Sequence, residues 1–111
     1  MSLPKVAYRA FLAAKGSDEV TSLIAYTAPL REPLKAVMWH AARKEWIFAP
    51  GLAARPLFDE TYPDESIEVD RTAAERVARE QLQTELPSVE RIAEMYEEGE
   101  RMGWRYGPPQ T

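Results

Sequence analysis

Ala-Val-Met-Trp-His-Ala-Ala-Arg-Lys-Glu-Trp-Ile-Phe, residues 36–48, is the most distinctive segment of the chain. It is rich in aromatic and β-branched residues, which favour strands, and a Pro-Gly pair follows it at 50–51. Because successive side chains of a strand point to opposite faces, a hairpin would give each strand one apolar face. Those faces hold Val37, Trp39 and Ala41 on the first strand, and Trp46 and Phe48 on the second. We therefore predict strands near 36–41 and 45–49.

The turn of this hairpin would lie near Arg43-Lys44, and it contains neither glycine nor asparagine. Short hairpin turns favour those two residues, so the turn signal is weak. A helix is the rival interpretation, because apolar side chains in this region also recur at helical spacing. That stripe consists of Leu34, Val37, Met38, Ala41 and Ala42. At the level of sequence the choice between hairpin and helix over residues 34–48 stays open, and the composition favours the hairpin.

Two further strands are predicted outside this segment. Residues 5–12 mix valine, tyrosine and phenylalanine with small residues, although the alanines at 10, 13 and 14 would also suit a helix. Residues 66–70, Ser-Ile-Glu-Val-Asp, alternate between polar and apolar side chains. Alternation of this kind is typical of a half-buried strand.

Two short helices are predicted in the first half of the chain. Near 18–27, Ser17 can act as the N-cap, and two acidic residues follow it in the first turn. Val20, Leu23 and Ile24 then recur at helical spacing. A second short helix is predicted near 51–58, because proline suits the first turn of a helix.

Two longer helices are predicted near the C-terminus. Thr72-Ala-Ala-Glu75 fits the capping box, in which each side chain bonds the other residue's backbone N–H, and this predicts a helix near 72–83. Ser88 can cap a second helix near 88–102, and Gly103 is a typical helix end.

Strands and helices do not alternate along the chain as they would in repeated βαβ units. The pattern indicates an α+β fold, a small and mostly antiparallel sheet covered by helices. With 111 residues, the chain is expected to form a single globular domain over 1–106. Residues 107–111, Gly-Pro-Pro-Gln-Thr, are expected to be a flexible tail.

The composition excludes several classes of function. There is no cysteine and one histidine, which excludes thiolate metal sites, iron–sulfur clusters and a cysteine nucleophile. No apolar run approaches the roughly 20 residues of a membrane span. The N-terminus lacks the apolar core of a secretion signal, so a cytoplasmic location without membrane attachment is expected. No glycine-rich phosphate loop or catalytic motif is present, and we predict no cofactor, no metal and no catalytic residue.

Charge is divided unevenly along the chain. Residues 1–56 carry a net charge of +4 and residues 57–111 a net charge of -8, while eight of the eleven aromatic residues precede residue 63. Ten arginines against four lysines, together with sixteen alanines, are typical of a bacterium with a GC-rich genome. We therefore expect a small non-enzymatic bacterial domain that binds another protein, including a second copy of itself. Regulatory, immunity-type and phage or mobile-element accessory roles fit equally.

The residues predicted to bind the partner form two groups. The first lies on the hairpin: Trp39, Arg43, Lys44 and Trp46. The second is an acidic helix face: Glu94, Glu97 and Glu98. Aromatic and basic residues that interleave over 39–48 could also stack bases and neutralise phosphates of single-stranded nucleic acid. That alternative ranks lower because the chain is acidic overall. The second alternative is an enzyme with His40 as its base, although a structural histidine is the default interpretation.

Overall fold

The computed structural model describes residues 5–13, 19–27, 34–53 and 66–108. These residues form an α+β fold, as predicted, with a five-stranded antiparallel sheet and two long helices. The strands are β1 (Ala7–Leu12), β2 (Val20–Thr27), β3 (Lys35–His40), β4 (Glu45–Phe48) and β5 (Ser66–Val69). The helices are α1 (Arg71–Glu80) and α2 (Val89–Met102).

The strands lie in the order β4-β3-β2-β1-β5, so the first four form a meander and β5 returns beside β1. The hairpin prediction for 36–48 is confirmed, and the rival helix is wrong. Val37 lies opposite Phe48, and Trp39 lies opposite Trp46. Cross-strand packing of these large apolar pairs favours the sheet over the helical stripe, which would have left the aromatic rings on several faces.

The helix predicted near 18–27 is wrong, because Val20–Thr27 forms the central strand β2. Leu23, Ile24 and Ala25 are all fully buried, so both faces of the strand are covered. A strand buried on both faces has a continuous apolar run, and over so few residues such a run also satisfies helical spacing. Pairing with β1 and β3 then outweighed the local helix signal. The predicted N-cap at Ser17 lies outside the described residues.

Both helices pack on one face of the sheet. α1 contacts β1 and β2, while α2 contacts β3 and β4. The buried side chains between these layers include Tyr8, Ala10, Leu23, Val37 and Phe48 from the sheet and Ala74, Ala78, Ile92 and Tyr96 from the helices. The buried small residues of the two helices are Ala74 and Ala78 on α1 and Gly99 on α2, and a Cβ at Gly99 would overlap the Phe48 ring.

The helix ends agree with the predicted positions to within three residues. Ser88 caps α2 through its side chain, which accepts from the N–H of Arg91, and Gly103 ends α2 in the left-handed conformation at φ 73°. The capping box at Thr72 is wrong, because Asp70 is the N-cap of α1 and accepts from the N–H of Ala73. An aspartate just before the helix competes well with threonine for this role, and the helix therefore begins before Thr72.

After α2, the C-terminal segment packs against β4 and against the helical turn at residues 50–53. The Gly51 N–H donates to the Arg105 carbonyl at 2.6 Å, and Gly107 lies against the Ile47 side chain. Residues 50–53 form one helical turn, and the rest of the helix predicted near 51–58 lies outside the described residues. The single domain over 1–106 and the mobility of the tail stay predictions. Within the described ranges, no helix is long and apolar enough to cross a bilayer.

Candidate functional site

The two tryptophans of the hairpin contact each other on the helix-covered side of the sheet. Trp39 and Trp46 are opposite residues of β3 and β4, and their ring centroids are 5.5 Å apart at an interplanar angle of 57°. The Trp46 indole N–H donates to the Glu85 carbonyl at 3.1 Å, which fixes its orientation. Both side chains are half-buried, so each ring keeps a surface that solvent or a partner can reach.

On one side of this pair lies a cavity of about 650 Å³, which we call the tip groove. Trp39 and Lys44 line it from the hairpin, Val20 from β2, and residues 81–84 from the segment after α1. The Val20 N–H donates to the Gln81 side-chain oxygen at 2.7 Å and holds that segment beside the sheet. The volume lies within the range of about 300–1,000 Å³ that is common for ligand sites.

Two residues of the tip groove have left-handed backbone conformations. Lys44 has φ 53° in the turn 41–44, and Gln83 has φ 54° in the segment after α1. In the described part of the chain these are the residues other than glycine with positive φ. Glycine and asparagine adopt this conformation at lower cost. Residues with strained backbone conformations are more frequent at functional sites than elsewhere. Two such residues in one groove therefore make the tip groove a candidate binding site.

Arg43, which we predicted to contact the partner, is half-buried and makes its polar contacts within the protein. Its Nε lies 2.7 Å from a Glu45 carboxylate oxygen, and its Nη1 donates to the Pro108 carbonyl at 2.9 Å. With 19% of its side chain exposed, Arg43 fastens the C-terminal segment to the hairpin. The ion pair with Glu45 therefore already neutralises the Arg43 charge locally, and the nucleic-acid alternative stays a prediction.

His40 supports the same turn. Its Nδ1 accepts from the Arg43 backbone N–H at 3.2 Å, so this nitrogen caps the hairpin end. This contact fits the structural interpretation of His40, and the enzyme alternative is not tested by it.

On the other side of the tryptophan pair lies a smaller cavity of about 200 Å³, which we call the helix groove. Its lining residues include Trp46 and Phe48 from β4, Met95 and Glu98 from α2, and Trp104. The groove therefore brings together Trp46 and Glu98, one residue from each predicted group. Arg91 also lines it, and the Arg91 guanidinium lies 3.2 Å from a Glu94 carboxylate oxygen. Glu97 is exposed and lies outside the lining of both grooves.

Sequence reasoning missed Gln83, Met95 and Trp104 as parts of this surface. The sequence does not indicate that Gln83 adopts a left-handed conformation, because glutamine rarely does so. Met95 lies on the same helix as the predicted glutamates, and its position beside Trp46 depends on how α2 packs against β4. Trp104 directly follows the predicted helix end at Gly103, which was the one available sign that it folds back.

Two polar side chains elsewhere, the buried Tyr96 and the partly buried Arg71, bond within the protein. The Tyr96 hydroxyl donates to the Ala25 carbonyl at 3.2 Å and accepts from the Thr27 hydroxyl at 3.3 Å. Burial raises the pKa of Tyr96 to about 12. Partial burial opposes the charge of Arg71, but its bond to Tyr8 and its ion pair with Glu75 outweigh this and raise its pKa. These residues tie the helices to the sheet and lie apart from the two grooves.

In the ranges that the structure describes, no group of three or more histidine, aspartate or glutamate side chains could hold a metal ion. Compared with protein-family models, with curated proteins and with solved structures, the chain matches none of them.

Proposed function

We propose that this protein is a non-enzymatic domain that binds another protein across the Trp39–Trp46 pair. The observation that carries the proposal is the tip groove, where a reachable indole, an exposed lysine and two strained backbone positions meet. Tryptophan is enriched among the residues that contribute most to protein interfaces, because it buries a large apolar area at low entropic cost.

The tip groove also has the mixed character of an interface. Trp39 offers an apolar wall, while Lys44 and the polar segment 81–84 offer hydrogen-bonding groups at its edge. An apolar centre within a polar rim is the usual anatomy of a protein interface. The Trp46 bond to Glu85 and the Gln81 bond to Val20 hold the walls in place before binding, which reduces the entropy lost on association.

The partner is another protein, and a second copy of this chain is included. Regulatory, immunity-type and mobile-element accessory roles are all compatible with such a module, and a bacterial cytoplasm is the setting we propose. The α2 face, with Glu98 in the helix groove, is the proposed secondary contact.

Affinity capture from an extract of the source bacterium tests the proposal. The immobilised wild type is compared with Lys44→Gly and with Arg76→Ala, each of which removes one positive charge. Lys44 lines the tip groove, whereas Arg76 is exposed on α1 and lies outside both grooves. We expect the captured protein to fall about threefold to fivefold with Lys44→Gly and to stay unchanged with Arg76→Ala, since one exposed charge at the edge of an interface contributes up to about 1 kcal/mol.

Equal capture by wild type and Lys44→Gly would contradict the proposal, and so would no specific capture by either. Sedimentation velocity of the wild type and of Lys44→Gly tests whether the partner is a second copy of this chain. A self-association that depends on Lys44 would appear as a shift toward the monomer in the variant.

A further inference from the structure

We infer that the helix groove receives an arginine side chain of the partner protein. This inference rests on the proposed function, since it assigns the chemistry of the second contact. It is carried by three properties of the groove: its aromatic walls, its uncompensated carboxylate and its volume.

The first property is the set of aromatic rings. Trp46 and Trp104 line the groove, and the buried Phe48 ring lies at its base. A cation over an indole face is attracted by the negative charge of the ring face, most strongly at tryptophan. The guanidinium of arginine is planar and weakly hydrated, so it stacks on such rings better than an ammonium does.

The second property is the balance of charge. Arg91 is the positive residue of the groove, and its guanidinium is paired with Glu94 at 3.2 Å. Among the residues that the structure describes, the Glu98 carboxylate has no ion pair or hydrogen bond. Over its whole length, α2 carries five glutamates and two arginines. Counting Glu94, which pairs with Arg91 but lies outside the lining, two carboxylates stand against one guanidinium beside the aromatic walls, and this excess of one negative charge complements a cation.

The third property is size. A volume of about 200 Å³ is below the roughly 300–1,000 Å³ of sites for drug-sized ligands. It suits one long side chain, whose aliphatic stem can lie against Met95 while its head reaches Glu98. Arginine can also donate two parallel hydrogen bonds to a carboxylate, which lysine cannot do.

Nuclear magnetic resonance with short peptides tests this inference on the full chain. Acetyl-Gly-Arg-Gly-amide is titrated into the labelled protein while the indole N–H signals of the three tryptophans are followed. The citrulline peptide, which has the same shape without the charge, and the lysine peptide are the matched probes. We expect the arginine peptide to shift the signals of Trp46 and Trp104 more than that of Trp39. A single side chain binds weakly, so the expected Kd is on the order of 1–10 mM.

Two variants of adjacent glutamates locate the site. Glu98→Gln should weaken the arginine peptide about fivefold, in line with the loss of one exposed ion pair. Glu97→Gln removes the same charge from the same helix at a position outside the groove, and it should change the affinity less than about twofold.

Equal shifts with the citrulline peptide, or wild-type affinity of Glu98→Gln, would overturn the inference. Lysine-peptide binding as tight as that of arginine would overturn the arginine assignment in favour of any cation. If the arginine peptide fails while Lys44→Gly still loses the captured partner, the helix-groove inference alone is wrong. If the peptide binds while capture does not depend on Lys44, the proposed function is wrong and the groove chemistry stands.

Discussion

Lys44 occupies the position of the hairpin turn at which a side chain costs the most. Its φ of 53° lies in the left-handed region, which is about 1–2 kcal/mol less favourable for residues with a Cβ. Lys44→Gly relieves this strain and loses part of the gain to the greater entropy of the unfolded chain. We expect the free energy of unfolding to rise by about 0.5–1 kcal/mol in urea titrations, with Lys44→Ala close to the wild type. Lower stability of Lys44→Gly would contradict this expectation and would mean that the lysine side chain stabilises the folded turn.

The buried Tyr96 hydroxyl should make the folded protein less stable at alkaline pH. Its pKa rises from an ordinary 10 to about 12 in the folded protein. Below pH 10 the side chain is protonated in both states and its contribution is fully present. Between pH 10 and 12 the unfolded chain ionises first, so stability falls by about 1.4 kcal/mol per pH unit, to a total of about 3 kcal/mol.

Urea unfolding at pH 8 and at pH 11 measures this effect. Tyr96→Phe should unfold more easily by about 1 kcal/mol at pH 8, because it loses the bonds to Ala25 and Thr27. It should then lose about 1.4 kcal/mol less than the wild type between the two pH values. Tyr106→Phe is the control, since Tyr106 is 66% exposed. The same alkaline loss in Tyr96→Phe and in the wild type would contradict the assignment.

At the scale of elements, Gly99 sets the distance between α2 and β4. A Cβ at this position would overlap the Phe48 ring, which is 3% exposed and packed against Tyr96. In a free helix glycine to alanine gains about 1 kcal/mol, whereas overpacking a core costs about 1–3 kcal/mol. We expect Gly99→Ala to lower the free energy of unfolding by about 2 kcal/mol, and a second change, Phe48→Leu, to recover part of it. A rise in stability would mean that α2 lies farther from β4.

The start of α1 offers a direct comparison of two caps. Asp70 accepts from the Ala73 N–H at 2.8 Å, while Thr72 lies within the first turn. We expect Asp70→Ala to cost about 1 kcal/mol in thermal or urea unfolding, and Thr72→Ala to change stability by less than about 0.5 kcal/mol. A larger loss of stability in Thr72→Ala than in Asp70→Ala would instead support Thr72 as the N-cap of α1.

The elements differ in how far the sequence predicts them. The hairpin could be predicted because its large apolar residues match across two strands, and α2 could be predicted from its two caps. β2 could not be predicted as a strand, because both of its faces are covered by residues distant in the chain. Leu23, Ile24 and Ala25 are therefore all buried. The spacing of apolar residues shows which side chains are buried. In a strand that is covered on both faces, it does not distinguish the strand period of two residues from the helical period of 3.6.

At the scale of the whole molecule, the candidate site depends on contacts that cross the fold. Trp39, Lys44 and Trp46 were predictable because one hairpin carries them. The meeting of Trp46 with Glu98 depends on α2 packing beside β4, and the capture of Arg43 depends on Pro108 returning to the hairpin. Such long-range packing leaves no local pattern, so the sequence did not indicate the half-buried position of Arg43 or the place of Trp104 in the helix groove.

Photo-crosslinking in living cells measures whether a partner protein binds at the tip groove. A photoreactive phenylalanine analogue replaces Ala41 or Gln83 within the groove, or Arg76 on α1 as the exposed control. We expect positions 41 and 83 to crosslink the same protein, identified by mass spectrometry, at a yield at least about tenfold above that of position 76. Equal crosslinking from all three positions, or none from the groove, would contradict the account.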